Sequence, residues 1–363
     1  MAVKMLKGKV LPIGLDLGTT AIRMAQFRQN EGNYDLLAAA SADIPAEKQA
    51  DFQSRLDSCG STIKGLLSAG GFVGRECVLG LPAEATFVQH VKIARTAPEL
   101  VEAAVLQEVQ GKLPFSATSA EIRHIVAGEV AGEGDARQEV IVVAAARETV
   151  MACLAMARKA GLDVSGVNIE SFAIVECFAR LFRRTSDAAR AILYLDIGQS
   201  STQAVLAHGN RIVFARNLMV AGRQLDAALA EGLKISPQQA WQLRRDQAAG
   251  KETQVSPEQI NQHLGGVLDD LTDELTQCLR YYESVFRNQG VERAIFLGGQ
   301  AMDKRLCQLI AQRLNVPAQI GDPLVRIGNA ANSSGSDLGI DRREPQPRWA
   351  VAVGLSLGSG QAA

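Results

Sequence analysis

Apolar residues occur in short runs punctuated by glycine, and two of these runs are alike in type. Ile13-Gly14-Leu15-Asp16-Leu17-Gly18-Thr19-Thr20 in the first half returns as Leu193-Tyr194-Leu195-Asp196-Ile197-Gly198-Gln199-Ser200 in the second. Each is an apolar strand that ends in Asp-x-Gly and small polar residues, then continues into a second strand, Ala21–Phe27 or Ser201–Ala207. Both predict a β-hairpin with a glycine-permitted turn. A third run, Ala294–Leu297, is followed by Gly298-Gly299-Gln300-Ala301 and an amphipathic helix to about Leu314. Between the hairpins the pattern predicts strands over 77–81 and 87–93, a helix over 98–112, strands over 122–128 and 139–145, and a helix over 147–160. Gly132-Glu133-Gly134-Asp135 is the expected turn between the later strands. From Ser256 to Arg287 apolar residues recur every three or four positions, which predicts a helix about 48 Å long. Gly265-Gly266 is its candidate kink, and Asn329–Pro347 reads as a surface loop.

The residue types at the turns define a chemistry. Gly18 and Gly198 carry no Cβ, so the backbone can turn sharply and approach a ligand closely. The amides of Thr19, Thr20, Gln199 and Ser200 can then converge on phosphate oxygens. Asp16 and Asp196, at the strand ends, are placed to hold Mg²⁺ through water, because that ion keeps most of its hydration shell. The Gly298-Gly299 turn would let a flat ligand lie on backbone beside a helix N-terminus. Taken singly, Asp-x-Gly is a common hairpin turn and Gly-Gly a plain strand–helix connection. Two copies of the hairpin imply duplicated lobes with matching turns at a shared cleft.

Composition narrows the classes. The 363 residues exceed one core and fit two or three domains. A formal net charge of −1 gives no basic surplus for nucleic acid. Six scattered cysteines without a CxxC pair read as reduced, mostly buried thiols. The basic start, Met1 to Val10, lacks the h-region of a signal peptide. No charge-free apolar run approaches the ~20 residues of a transmembrane helix. The four histidines have no metal-ligand spacing, and there is no GxSxG, HExxH, Walker A or GxGxxG motif.

The three glycine turns, in this order, resemble the phosphate-1 (Asp16–Thr20), phosphate-2 (Asp196–Ser201) and adenosine (Leu297–Ala301) motifs of the actin-like ATPase superfamily. Val167–Ala173 is similar to the connect-1 segment of that superfamily, with Glu170 either facing the cleft or a solvated first-turn carboxylate. Within it the chain resembles the PilM family of type IV pilus assembly proteins, a relative of FtsA. The likeness rests on Gln107–Phe115, Glu139–Ala145, Ala160–Val164, Arg280-Tyr281-Tyr282 and Trp349–Ser356, and it runs from about residue 11 to 357.

The resemblance implies an α/β, ribonuclease H-like, two-lobed fold with duplicated lobes and a small α+β domain inserted in the first. The expected division is 1–74 with 163–190 for the first lobe and 75–162 for the insert. The second lobe would hold 191–222 with 291–363, and a helical subdomain would hold 223–290. The ligand implied is ATP with Mg²⁺. Asp16, Asp196 and Glu170 would be the catalytic candidates, with Asp16 and Asp196 toward the metal. Gly18, Thr19, Thr20, Gly198, Gln199, Ser200, Ser201, Arg244, Gly298, Gly299 and Gln300 would line the nucleotide.

One departure concerns the helix 237–245, where the family carries an acid and a lysine. Trp241 stands in place of the acid, either to stack on a base or to pack between the lobes, and Arg244 in place of the lysine. Gln199 also replaces a smaller residue. The function implied is cytoplasmic, at the inner membrane through a partner: docking of the N-terminal tail of a PilN-like membrane protein in a groove near residues 75–95 and the returning part of the first lobe. Room remains for self-association. The alternatives are an FtsA-like division scaffold and a kinase or ATPase with real turnover. At most a slow ATPase is expected, since no second substrate signature is present. The uncharged, glycine-rich end Leu357–Ala363 is unlike the basic amphipathic helix by which FtsA meets lipid.

Overall fold

The chain begins with a strand pair that sets the plan for everything after it. In the computed structural model, which describes residues 8–49, 51–130, 136–182, 190–286, 290–329 and 339–358, β1 (Lys9–Val10) lies beside β3 (Ala21–Asn30). The fully buried β2 (Ile13–Leu17) also pairs with β3, antiparallel, and β4 (Asn33–Asp43) completes a meander. The helix α1 (Phe52–Ala69) follows, capped by the Asp51 carboxylate, which accepts from the Ser54 amide at 2.7 Å. β5 (Glu76–Leu81) then returns parallel to β2.

An insertion interrupts this lobe. It holds β6 (Phe87–Ala94), α2 (Pro98–Val109), β7 (Ala120–Glu129) and β8 (Arg137–Ala146), which form a three-stranded antiparallel sheet in the order β6-β8-β7. Val101, Val105 and Val109 of α2 pack on Val91, Ile93, Val140 and Val142 of that sheet. The expected turn 132–135 lies outside the described residues. The chain then re-enters the first lobe through α3 (Arg147–Lys159), β9 (Asp163–Ile169), parallel to β5, and α4 (Glu170–Ala179).

The second half repeats the plan. β10 (Ala191–Ile197), β11 (Thr202–His208) and β12 (Arg211–Leu218) form the meander. Three helices take the place of α1: α5 (Gly222–Leu233), α6 (Pro237–Ala248) and α7 (Pro257–Val285). α6 and α7 open identically, with Ser at the N-cap, Pro next and Gln at the third helical position. Ser236 and Ser256 each exchange hydrogen bonds with Gln239 and Gln259, a reciprocal cap. α7 runs as one helix through Gly265 and Gly266, so the expected kink interrupts no helical turn. β13 (Val291–Leu297) lies parallel to β10, and α8 (Lys304–Leu314) crosses to β14 (Ala318–Ile320). The chain closes with β15 (Gly328–Asn329), parallel to β4, and α9 (Ala350–Gly358).

Two sheets of matching order result: β4-β3-β2-β5-β9, extended by β15, and β12-β11-β10-β13-β14. The duplication inferred from two hairpins is thus a duplication of whole sheets. Contacts divide the chain into two compact units: residues 1–82, 147–180 and 322–363, and residues 83–146 and 181–321.

The division by contacts differs from the expected one in three places. Residues 76–81 and 147–159, read as insert, belong to the first unit, because β5 is hydrogen-bonded between β2 and β9 and α3 packs on α1. The insert interrupts the chain of the first lobe, where the resemblance placed it, and its contacts group it with the second unit. There His90 stacks on Phe214 with ring centroids 4.6 Å apart, and Asn217 Nδ2 donates to Ala83 O at 3.2 Å. The residues from 322 onward belong to the first unit rather than the second. α9 is buried there: a Cβ on Gly354 would lie 1.7 Å from Ala173 O, and one on Gly14 2.0 Å from Ala352 O. Ser356 Oγ donates to Pro12 O at 2.7 Å. The helices α5–α7 share one apolar core with the five-stranded sheet, so 223–290 forms no core of its own.

Candidate nucleotide-binding half-sites

In the first unit, β2, β5 and β9 run parallel, and their register places Asp16 beside Gly80 and Gly80 beside Asn168. Asp16 and the start of α4 therefore share the carboxyl edge of the sheet, with the Cα atoms of Asp16 and Asn168 about 10 Å apart, two strand spacings. That edge is where open α/β sheets receive ligands. Glu170, two residues beyond Asn168, is half-buried in the first turn of α4. Thr19 and Thr20 lie half-buried in the turn, and Ile44 N donates to Thr20 O at 2.8 Å.

Asp16 is 5% exposed, and burial pushes its carboxyl up to about 6; Arg23, whose Nη1 lies 3.8 Å from Oδ2, pulls the other way and only partly offsets it. Arg23 carries no signal in the motif itself. Its signal lies in the pairing: in an antiparallel hairpin, register puts it directly across from Asp16.

In the second unit the turn is built the same way. A Cβ on Gly18 would meet Ala21 O at 2.9 Å, and one on Gly198 would meet Ser201 O at 3.0 Å. Each glycine is needed because the chain folds back over a carbonyl three residues on. Gly198 N donates to Ser201 O, and the first amides of α5, Gly222 and Arg223, donate to Gly198 O and Gln199 O. Ser200 and Ser201 are half-buried at the turn.

Because β10 pairs with β13, Asp196 lies beside Leu297, and its carboxylate rests on Gly298. Gly298 has φ +83°, and a Cβ there would sit 2.3 Å from Asp196 Oδ1. The structure thus brings the second hairpin and the Gly298–Gly299 turn together. Gly299 is exposed and Gln300 half-buried.

Arg244, expected to offer its guanidinium to a ligand ring, is 5% exposed and bound inside the unit. Its Nη1 donates to Asp226 Oδ1 at 2.7 Å, and its Nη2 donates to Gln300 Oε1. Asp226 is a second residue that the sequence pattern does not mark. Burial raises its carboxyl, and Arg244 and Gln199 only partly offset that. Trp241 is half-buried, with the Arg245 guanidinium 4.5 Å over its ring.

All six cysteines are free and buried, and burial raises their thiols to about 11–12, so none is a reactive nucleophile. Among the described residues no cluster of three His, Cys, Asp or Glu could hold a metal, and no helix is long and apolar enough to cross a membrane.

Two sheets of one strand order, each ending its central strand in an Asp-x-Gly hairpin, define an actin-like ATPase fold. The chain belongs to the PilM family: the family described as type IV pilus assembly protein PilM matches residues 14–360. Among solved structures, a chain of a PilM-PilN type IV pilus biogenesis complex aligns with TM-score 0.79 at 22% identity, over 97% of this chain and 99% of that one. The ethanolamine utilization protein EutJ from Carboxydothermus hydrogenoformans aligns with TM-score 0.56 at 13% identity, over 98% and 92%. MreB 5 of Spiroplasma citri bound to AMPPNP aligns with TM-score 0.51 at 14% identity, over 97% and 96%.

Proposed function

We propose that the chain is a nucleotide-binding assembly protein of a type IV pilus, or related type II secretion, inner-membrane platform. It works at the cytoplasmic face by docking the N-terminal tail of a PilN-like membrane protein. The observation that carries this reading is the likeness, over nearly the whole of both chains, to a protomer of a PilM-PilN complex. ATP is the proposed nucleotide, in keeping with the fold shared with an AMPPNP-bound MreB. The turns at Gly18-Thr19-Thr20 and Gly198-Gln199-Ser200-Ser201 would direct backbone donors at its phosphates, and Gly298-Gly299-Gln300 would receive the nucleoside.

The residues present fit a hydrated Mg²⁺. Asp16 is a buried carboxylate with only partial compensation from Arg23, and among the described residues there is no multi-carboxylate cage, so the ion would be held through water and phosphate. When bound, Mg²⁺ neutralises phosphate charge. Asp16 in the first unit and Asp196 in the second would each offer a carboxylate to its water shell, and Glu170 would be a further carboxylate at the edge of the first sheet. The nucleotide serves chiefly to set structure, with turnover below about 1 s⁻¹.

Calorimetric titration with Mg-ATP tests the nucleotide reading. Asp16→Ala and Asp196→Ala should each weaken binding at least about tenfold, about 1.4 kcal/mol, and chelation by EDTA should do the same. Wild-type affinity unchanged in both variants would overturn it. The docking reading is tested separately by fluorescence anisotropy with a tail peptide of a pilus membrane protein encoded beside this chain. Saturable binding is expected, and none up to the solubility limit would refute it.

A further inference from the structure

Four side chains of the second unit close a hydrogen-bonded ring. Gln199, in the turn after β10, donates from Nε2 to Asp226 Oδ2 at 2.6 Å. Arg244 of α6 donates from Nη1 to the other oxygen, Asp226 Oδ1, at 2.7 Å. Arg244 Nη2 donates to Gln300 Oε1, and Gln300 Nε2 donates to Gln199 Oε1 at 3.0 Å. The four residues come from the hairpin turn, α5, α6 and the glycine turn after β13. Each link is tertiary, spanning 18 to 101 residues.

The ring has one direction. Donation runs from the Arg244 cation to the Asp226 carboxylate by two routes: directly, and through Gln300 and Gln199. Turning either glutamine amide over would set donor against donor and acceptor against acceptor, so both amides are fixed. Such polarised chains are stronger than isolated bonds. The ring also fills the space over Gly222: a Cβ there would lie 2.3 Å from Gln300 Nε2 and 2.4 Å from Gln199 Oε1, so a larger residue would push both amides out of the ring. Asp226 and Arg244 are 3% and 5% exposed, so neither is available to a ligand while the ring stands.

We propose that Asp226 and Arg244 are positioning residues, which lock the phosphate-side turn at Gln199 to the nucleoside-side turn at Gln300 so that the two move as one rigid receiver. The proposal rests on the nucleotide reading above for its purpose, and on the ring alone for its mechanics. A ligand that needs both turns in register is favoured when the ordering is already done.

A double-mutant cycle distinguishes positioning from direct contact. Gln199→Ala and Gln300→Ala should each weaken Mg-ATP binding about tenfold, and the double variant should lose no more than either single, because one broken link already opens the ring. Asp226→Asn should give the same loss without touching the ligand. Losses that multiply in the double variant, or an Asp226→Asn protein that binds like wild type, would overturn the proposal. Hydrogen exchange reads the ring with no nucleotide present. Gln300→Ala should speed exchange at residues 198–201, and Gln199→Ala at residues 299–302, with the melting temperature little changed because the Asp226–Arg244 pair persists. Absence of this cross-effect refutes the ring as a coupler. Its presence in a protein that fails to bind Mg-ATP refutes the nucleotide reading instead.

Discussion

His208 shows how one side chain sets a pH limit. It sits on β11, 4% exposed, with Nε2 2.6 Å from Tyr282 Oη and the rings of Tyr282 and Phe286 edge-on to it. Burial lowers its pKa to about 4, with a smaller push in the same direction from Arg211; burial also holds the Tyr282 hydroxyl well above its ordinary range. Tyr282 is therefore the donor and neutral His208 the acceptor. The unfolded chain takes a proton on this histidine near pH 6.5, whereas the folded chain resists until about 4. Its contribution is complete above pH 6.5 and falls progressively as pH drops toward 4, by up to about 3 kcal/mol. His208→Gln, which keeps an acceptor and cannot titrate, should flatten the fall in urea-unfolding stability between pH 7 and pH 4.5. Parallel pH curves for the two proteins would show that His208 is charged in the fold.

Elements were legible where one strand or helix carries its whole signal. The hairpins at Asp16 and Asp196 were readable because an apolar run, a carboxylate and a glycine turn are consecutive. The capped helices were readable because their stripe repeats every three or four residues. Asp226 was not, since a lone acid on a helix means nothing until Gln199 and Arg244 arrive from 27 and 18 residues away. Nor was the meaning of individual glycines, which depends on what faces them. Gly354 of α9 faces the Ala173 carbonyl, where a Cβ would stand 1.7 Å away. Gly265 and Gly266 of α7 face open space, with nothing within 4 Å of where a Cβ would stand. Gly354→Ala should therefore cost about 3 kcal/mol or more, from forcing α9 off α4. Gly265→Ala and Gly266→Ala should each add about 0.5–1 kcal/mol, by removing backbone freedom from the unfolded chain. Denaturant midpoints measure all three, and a destabilised Gly265→Ala would mean that the helix bends there in solution.

At the scale of the molecule, the sequence showed that an insert exists but not what it packs on. The resemblance placed it in the chain of the first lobe; its contacts lie within the second unit. Glu139 on β8 is fully buried and accepts from Tyr281 Oη of α7 at 2.7 Å, while its Oε1 also meets His90 Nδ1 at 2.7 Å. His90 Nε2 in turn accepts from Ala215 N of β12 at 3.2 Å. Glu139 and Tyr281 lie in segments that carry the family likeness, but the bonded pairs stand 49, 125 and 142 positions apart, and none of the four residues belongs to a phosphate or adenosine motif. Together they fasten the three-stranded sheet to the strand and helix of the second unit, and the Lys92 ammonium, 5.3 Å over the Tyr281 ring, adds a cation–π contact. Glu139→Ala would leave two half-buried polar groups without their partner, a cost of about 2–4 kcal/mol. Tyr281→Phe removes one bond only and should cost about 1 kcal/mol. If the fastening is local, Glu139→Ala should raise hydrogen exchange across β6, β7 and β8 well before it raises exchange in β10 and β13. A uniform rise through the second unit would instead mean that the insert and the five-stranded sheet open as a single cooperative body.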